Sequence, residues 1–104
     1  MNDKIFTLKV ALLTAIAEAN KHKNDDDGGT SNWDMPLLFL PLWERADIEE
    51  AFKIPGLRIH FEGNAIYILG VCDGQGYRRT AMAEAFRDSL KNQGYKAHVD
   101  YRMD

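Results

Sequence analysis

A second cysteine is missing from the sequence: Cys72 stands alone, which excludes an internal disulfide and fits a reducing compartment, with the cytoplasm as the default. A surplus of positive charge is missing too. Thirteen lysines and arginines face 16 aspartates and glutamates, so no global field draws the chain to DNA, RNA or an anionic membrane. Any anion binding must be local. Nor is there the run of roughly 20 apolar residues that a membrane span needs. Val10 to Ala17 is mostly apolar, and Ala17-Glu18-Ala19 has the small-x-small form of a cleavage site. However, Lys9 and Thr14 interrupt the run and Asp3 sits among the few basic residues ahead of it, so a secretory leader is not expected. His22, His60 and His98 are scattered, without the spacing of a helical ligand pair, and no metal or cofactor is expected.

What is present fits one domain over residues 1–104, long enough for a single core and too short for two. Ile5 to about Lys23 reads as a helix with Ile5, Leu8, Leu12, Ala15, Ile16 and Ala19 on one face. A second apolar stripe, Phe6, Val10, Leu13 and Ala17, lies well around that helix. Two apolar sides in so short a chain point to burial against both its own core and another subunit. Asn24 to Asp34 has turn chemistry throughout. Asp25-Asp26-Asp27 suggests a calcium loop, but the acids do not alternate ahead of a glycine and no glutamate closes a twelve-residue frame, so a solvated turn is expected.

Leu37 to Leu40 reads as a short strand stopped by Pro41, and Arg45 to Lys53 as a short helix burying Ile48, Ala51 and Phe52. Leu57, Ile59 and Phe61 alternate with Arg58, His60 and Glu62 as in a half-buried strand, and Gly63-Asn64 turns it into a return strand, Ala65 to Val71. That strand is apolar on both faces and is expected to lie centrally and covered. Ala81 to Asn92 reads as a helix with Gly94 as its stop, and the chain ends in a strand where Tyr95, Ala97, Val99, Tyr101 and Met103 alternate with polar residues. The fold class expected is α+β: a small, mostly antiparallel sheet packed with a long N-terminal helix and a C-terminal helix, assembled as an oligomer.

The segment most suited to chemistry is Gly74-Gln75-Gly76-Tyr77-Arg78-Arg79-Thr80, which leads from an apolar strand into a helix. Helix N-terminal amides and dipole attract anions, glycines let the main chain approach, and Arg78 and Arg79 add planar forks matched to phosphate. Thr80 reads as the N-cap. From Cys72 to Arg78 the segment also fits Cys-x5-Arg, resembling the phosphate loop of cysteine-dependent phosphatases, where a thiolate attacks phosphorus and the arginine clamps its oxygens. Yet Arg79 stands where those enzymes carry Ser or Thr, and no general acid is identifiable. Cys72 reads instead as a small packed residue at a strand end. Trp33 and Trp43 flank apolar stretches and fit core packing, although Trp33, in the polar loop, could stack on a base.

Two segments, Asp27-Gly28-Gly29-Thr30-Ser31-Asn32-Trp33-Asp34 and Gly74 to Thr80 with the following Met82-Ala83-Glu84-Ala85, resemble a small family of phage proteins, the first family of Thoeris anti-defence proteins, or sponges. The element order agrees, down to the terminal Tyr101-Arg102-Met103-Asp104. The resemblance implies a non-catalytic homohexamer, acting in the cytoplasm of an infected host cell, that sequesters cyclic ADP-ribose isomers; some relatives also capture cyclic di- or trinucleotides of a second defence system, CBASS. It makes Gly28, Gly29, Thr30, Trp33 and Asp34 of the first segment, and Gln75, Gly76, Tyr77, Arg78, Arg79 and Thr80 of the second, the ligand-binding candidates. The alternatives are a phosphatase-like hydrolase using Cys72 and Arg78, and an inhibitor that binds a host protein.

Overall fold

A computed structural model describes residues 3–103; Met1, Asn2 and Asp104, the last residue of the terminal motif, lie outside them. In chain order the elements are α1 (Asp3–Asn20), β1 (Met35–Phe39), α2 (Arg45–Ala51), β2 (Arg58–Glu62), β3 (Ala65–Leu69), α3 (Gly76–Asn92) and β4 (Lys96–Asp100). The strands form one sheet in the order β2-β3-β1-β4, every neighbouring pair antiparallel. The α+β class read from the sequence therefore holds.

α1 buries the predicted face. Leu8, Leu12, Ala15 and Ala19 are buried, with Ala11, and Ile5 and Ile16 pack at the margin of the same cluster. Neighbouring leucines separate the two faces: Leu12 is fully buried while Leu13 is 49% exposed, in line with Phe6 and Val10. α1 ends at Asn20, three residues before the expected Lys23, because the amides of Lys21, His22 and Lys23 bond three residues back and tighten the chain into turns. α1 lies along α3 and touches α2, and α3 lies on β1 and β4, so the helices cover one sheet face. Leu38, Ile66, Ile68 and Ala97 project from that face into the core beside Phe86 and Leu90.

The hairpin between β2 and β3 turns at Gly63-Asn64, with Glu62 opposite Ala65. β1 starts two residues earlier than predicted and takes in Pro36, which stands opposite Val99 of β4 and precedes the β1–β3 register beginning at Leu37. β3 is central, but its coverage is one-sided. Ile66 and Ile68 are buried whereas Tyr67 and Leu69 are half-buried, because among the described residues no helix packs on the second face. Cations lie over its rings instead: Arg102 is 5.5 Å from the Tyr67 ring and Lys96 5.4 Å from the Phe39 ring. Among the described residues no helix is long and apolar enough to cross a membrane.

Candidate functional site

The two motifs, far apart in the chain, meet in space. Residues 25–34 fold back over the start of α3, and that contact explains why α3 begins at Gly76, five residues before the expected Ala81. The Tyr77 amide donates to the Gly28 carbonyl at 2.9 Å, and the Asn32 side-chain amide donates to the Gly76 carbonyl at 3.1 Å. Gly76 itself is buried with φ 54°, and a Cβ there would collide with the Gly28 carbonyl. Only glycine fits this position for both reasons. Gly76→Ala should therefore lower the melting temperature by about 10 °C, since roughly 2 kcal/mol of backbone strain and loop displacement corresponds to about that shift in a domain of this size. A melting point within 3 °C of wild type would show that the loop moves aside at little cost.

Thr80 is not the N-cap. That position belongs to Gln75, whose side chain makes no capping bond. Thr80 lies one turn into the helix, where its hydroxyl donates to Asp34 Oδ2 at 2.7 Å and lies 3.2 Å from the Gly76 carbonyl. Asp34, 4% exposed, holds a second partner on Oδ1, the Arg102 amide at 2.9 Å. The Asp34 amide donates to Asn32 Oδ1, and the Trp33 amide to the Arg102 carbonyl. Asn32 and Arg102 are thus central to the clasp though absent from the sequence-derived ligand candidates; both lie in segments the resemblance drew on, Asp27 to Asp34 and Tyr101 to Asp104, but no local signal marks either as a positioning residue. Among the described residues no buried side-chain polar atom lacks a partner, so the network is fully satisfied.

The two arginines leave the helix in different directions. Arg78 donates Nε to the Asp25 carbonyl at 3.0 Å and brings Nη2 to 3.7 Å from Asp27, its stem lying against Gly74. Arg79 donates Nε to the Asp34 carbonyl at 3.0 Å and places its guanidinium 5.6 Å from the Trp33 ring. Both are half-buried, and each bond through Nε fixes the plane of the fork. Two exposed rings belong to the same segments: Trp33, 49% exposed, beside Arg79, and Tyr77, 66% exposed, whose ring rests on Gly29. Thr30 is exposed at the loop tip. Asp26 Oδ1 accepts the Gly28 amide, and Asp25 pairs with His22, the geometry of a solvated turn.

Cys72 lies partly buried against the core, and burial pushes its thiol up to about 11, with Arg79 lowering it and Asp34 raising it by smaller amounts. A neutral thiol is a poor nucleophile. Alkylation by iodoacetamide at pH 8 should run about a hundredfold slower than for free cysteine, because the thiolate fraction falls by roughly that factor. A rate near that of free cysteine would reopen the hydrolase reading. A groove of about 590 Å³ lies elsewhere, between α1 and α3, but Glu18, Glu84 and Asp88 line it, which disfavours a phosphate. No protein-family model, curated protein or solved structure matches this chain.

Proposed function

We propose that the protein binds and sequesters a cyclic nucleotide immune signal without cleaving it, as a phage anti-defence sponge of the kind its two motifs resemble. One observation carries the reading: segments 44 residues apart close into a single satisfied clasp that fixes two arginines and carries two exposed aromatic rings, Trp33 beside Arg79 and Tyr77 on Gly29. Arginine forks suit phosphate oxygens and aromatic faces suit bases. The clasp consumes Asn32, Asp34, Gly76 and Thr80 in holding that arrangement, so their role is to position, while Trp33, Tyr77, Arg78 and Arg79 meet the ligand. The phosphatase-like alternative needs a thiolate, and the raised Cys72 thiol weighs against it.

The test is calorimetry with cyclic ADP-ribose isomers and with cyclic di- and trinucleotides, followed by recovery of the ligand from denatured protein. Intact ligand supports a sponge. A hydrolysed product supports the enzyme, and inertness to every nucleotide favours an inhibitor of a host protein.

The proposal includes assembly of identical subunits, a hexamer by the resemblance. Phe6, Val10 and Leu13 form an exposed stripe on α1, and burying such side chains contributes roughly 1.5–3 kcal/mol each. Leu13→Glu should accordingly reduce the particle mass measured by light scattering while helical content is kept. A monomeric wild type at micromolar concentration would remove the oligomer from the proposal.

A further inference from the structure

The sheet face turned away from the helices carries a charge pattern set by strand register. Met35, Leu37 and Phe39 of β1 and Ala65, Tyr67 and Leu69 of β3 alternate with the core residues Leu38, Ile66 and Ile68, so they line that second face along the two central strands. The two outer strands fence them with charge. β2 places Glu62 at one end and Arg58 at the other, and β4 places Lys96 and Asp100 at its own ends. Pairing sets Glu62 in one row with Ala65, Phe39 and Lys96, and Arg58 in the opposite row with Leu69, Met35 and Asp100. The four corners therefore alternate in sign around an apolar middle. Ring contacts place the outer residues on this same side: Lys96 and His98 lie against Phe39, and His60 and Arg102 against Tyr67. Among the described residues neither Arg58 nor Glu62 is in an ion pair.

We propose that this face receives a second copy of the chain, the two sheets packing face to face about a two-fold axis that runs along the strands. Such an axis sets each left-hand position against the right-hand position of the same row. Glu62 then meets Lys96 of the second copy and Arg58 meets Asp100, every contact being made twice. In the middle, Ala65 meets Phe39, a small residue against a ring, and Tyr67 meets Leu37. His60 and His98 meet at the edge. An apolar centre inside a charged border is the ordinary anatomy of a protein interface. The sheets would cross within about 30°, the aligned packing. Orthogonal packing is disfavoured because it superimposes corners of like sign, Glu62 on itself or on Asp100. A two-fold axis across the strands matches the corners but stacks Tyr67 on Tyr67, with an Arg102 guanidinium 5.5 Å from each ring facing its own copy. Strand spacing and rise give a face of roughly 19 Å by 17 Å, at the small end for a specific interface, so the contact should hold in the micromolar range. The exposed stripe of α1 belongs to the helical layer on the other side of the sheet, so both contacts can form at once.

Sedimentation equilibrium on the full chain carrying Leu13→Glu isolates this contact from the α1 stripe. A dimer is expected at high micromolar concentration. Adding Glu62→Lys sets lysine against Lys96 at both symmetry-related corners and should weaken the dimer about twenty-fivefold, about fivefold for each corner. Adding Lys96→Glu as well exchanges the two signs and should return the dissociation constant to within about threefold of the starting protein. Both side chains are exposed, so the variants should melt like their parent. A Leu13→Glu protein that stays monomeric at high micromolar concentration would overturn the proposal. A dimer indifferent to Glu62→Lys would do the same, as would failure of Lys96→Glu to recover it in a protein that melts normally. Nucleotide binding is measured separately by calorimetry, so the fate of this contact and that of the ligand reading are distinguished.

Discussion

Arg79→Ala should weaken cyclic nucleotide binding about ten- to a hundredfold while the chain stays folded. The magnitude follows from losing one charge-assisted hydrogen bond to phosphate, worth roughly 1.5–3 kcal/mol. The fold survives because the intramolecular loss is a single bond, from Nε to the Asp34 carbonyl, costing about 1 kcal/mol. Arg79→Lys separates charge from shape. It keeps the cation but not the planar fork over Trp33, and should recover only part of the lost affinity. Arg78→Ala should behave differently, since that side chain fastens the Asp25–Asp27 loop and its loss loosens the rim as well as removing a donor. Calorimetry with melting curves in parallel decides the matter. If Arg78→Ala and Arg79→Ala both bind as tightly as wild type, the two arginines are loop fasteners and the ligand site lies elsewhere.

Local signals in the sequence led to correct elements where the governing interactions are local. Alternation around Gly63-Asn64 marks the β2–β3 hairpin, and the spacing of Leu8, Leu12, Ala15 and Ala19 marks the buried face of α1. Gly94, with φ 93°, ends the last helix in the expected way. The start of α3 was hidden because its first turn is stabilised from outside. Gly74 and Gly76 look like breakers, and Gly76 has a φ of 54°, yet Gly28 and Asn32, remote in sequence, bond to Tyr77 and Gly76 and fix the start of the first turn. The same cause misassigned Thr80. Its chemistry suits an N-cap, but its partner is a carboxylate 46 residues away. Both motifs were visible as candidates, whereas their division into residues that position and residues that stay exposed depends on the long-range closure. The uncovered face of β3 was missed for a related reason: an apolar residue such as Leu69 reads the same whether its own chain or another surface covers it.

Asp34→Ala should cost about 3 kcal/mol or more and lower the melting temperature by about 12 °C or more, the largest stability effect expected in the clasp. Its carboxylate is 4% exposed and makes two short bonds, from the Thr80 hydroxyl at 2.7 Å and the Arg102 amide at 2.9 Å. Alanine removes both acceptors at once, leaving the Arg102 amide without its partner and the Thr80 hydroxyl with only its longer contacts to Gly76 and Asn32. The main-chain bonds of residue 34, to Asn32 and from Arg79, survive the substitution, so the loop stays attached, and the C-terminal segment keeps only its main-chain pairing, from the Trp33 amide to the Arg102 carbonyl and between Asn32 and Met103. Asp34→Asn distinguishes this from mere loss of volume. Asparagine keeps an acceptor for the Arg102 amide, and the Thr80 hydroxyl can turn to accept from its new NH2, so the cost should fall to about 1 kcal/mol. A cycle with Thr80→Val then isolates the pair: coupling of about 1–2 kcal/mol between Asp34→Ala and Thr80→Val is expected for directly bonded partners. Ligand affinity should fall with Asp34→Ala even below its melting range, because residue 34, whose carbonyl orients Arg79, loses its side-chain anchors to Thr80 and to the Arg102 amide. If Asp34→Ala melts within about 4 °C of wild type and shows no coupling to Thr80→Val, the carboxylate is not what closes the clasp, and the burden shifts to Asn32 and its bond to the Gly76 carbonyl.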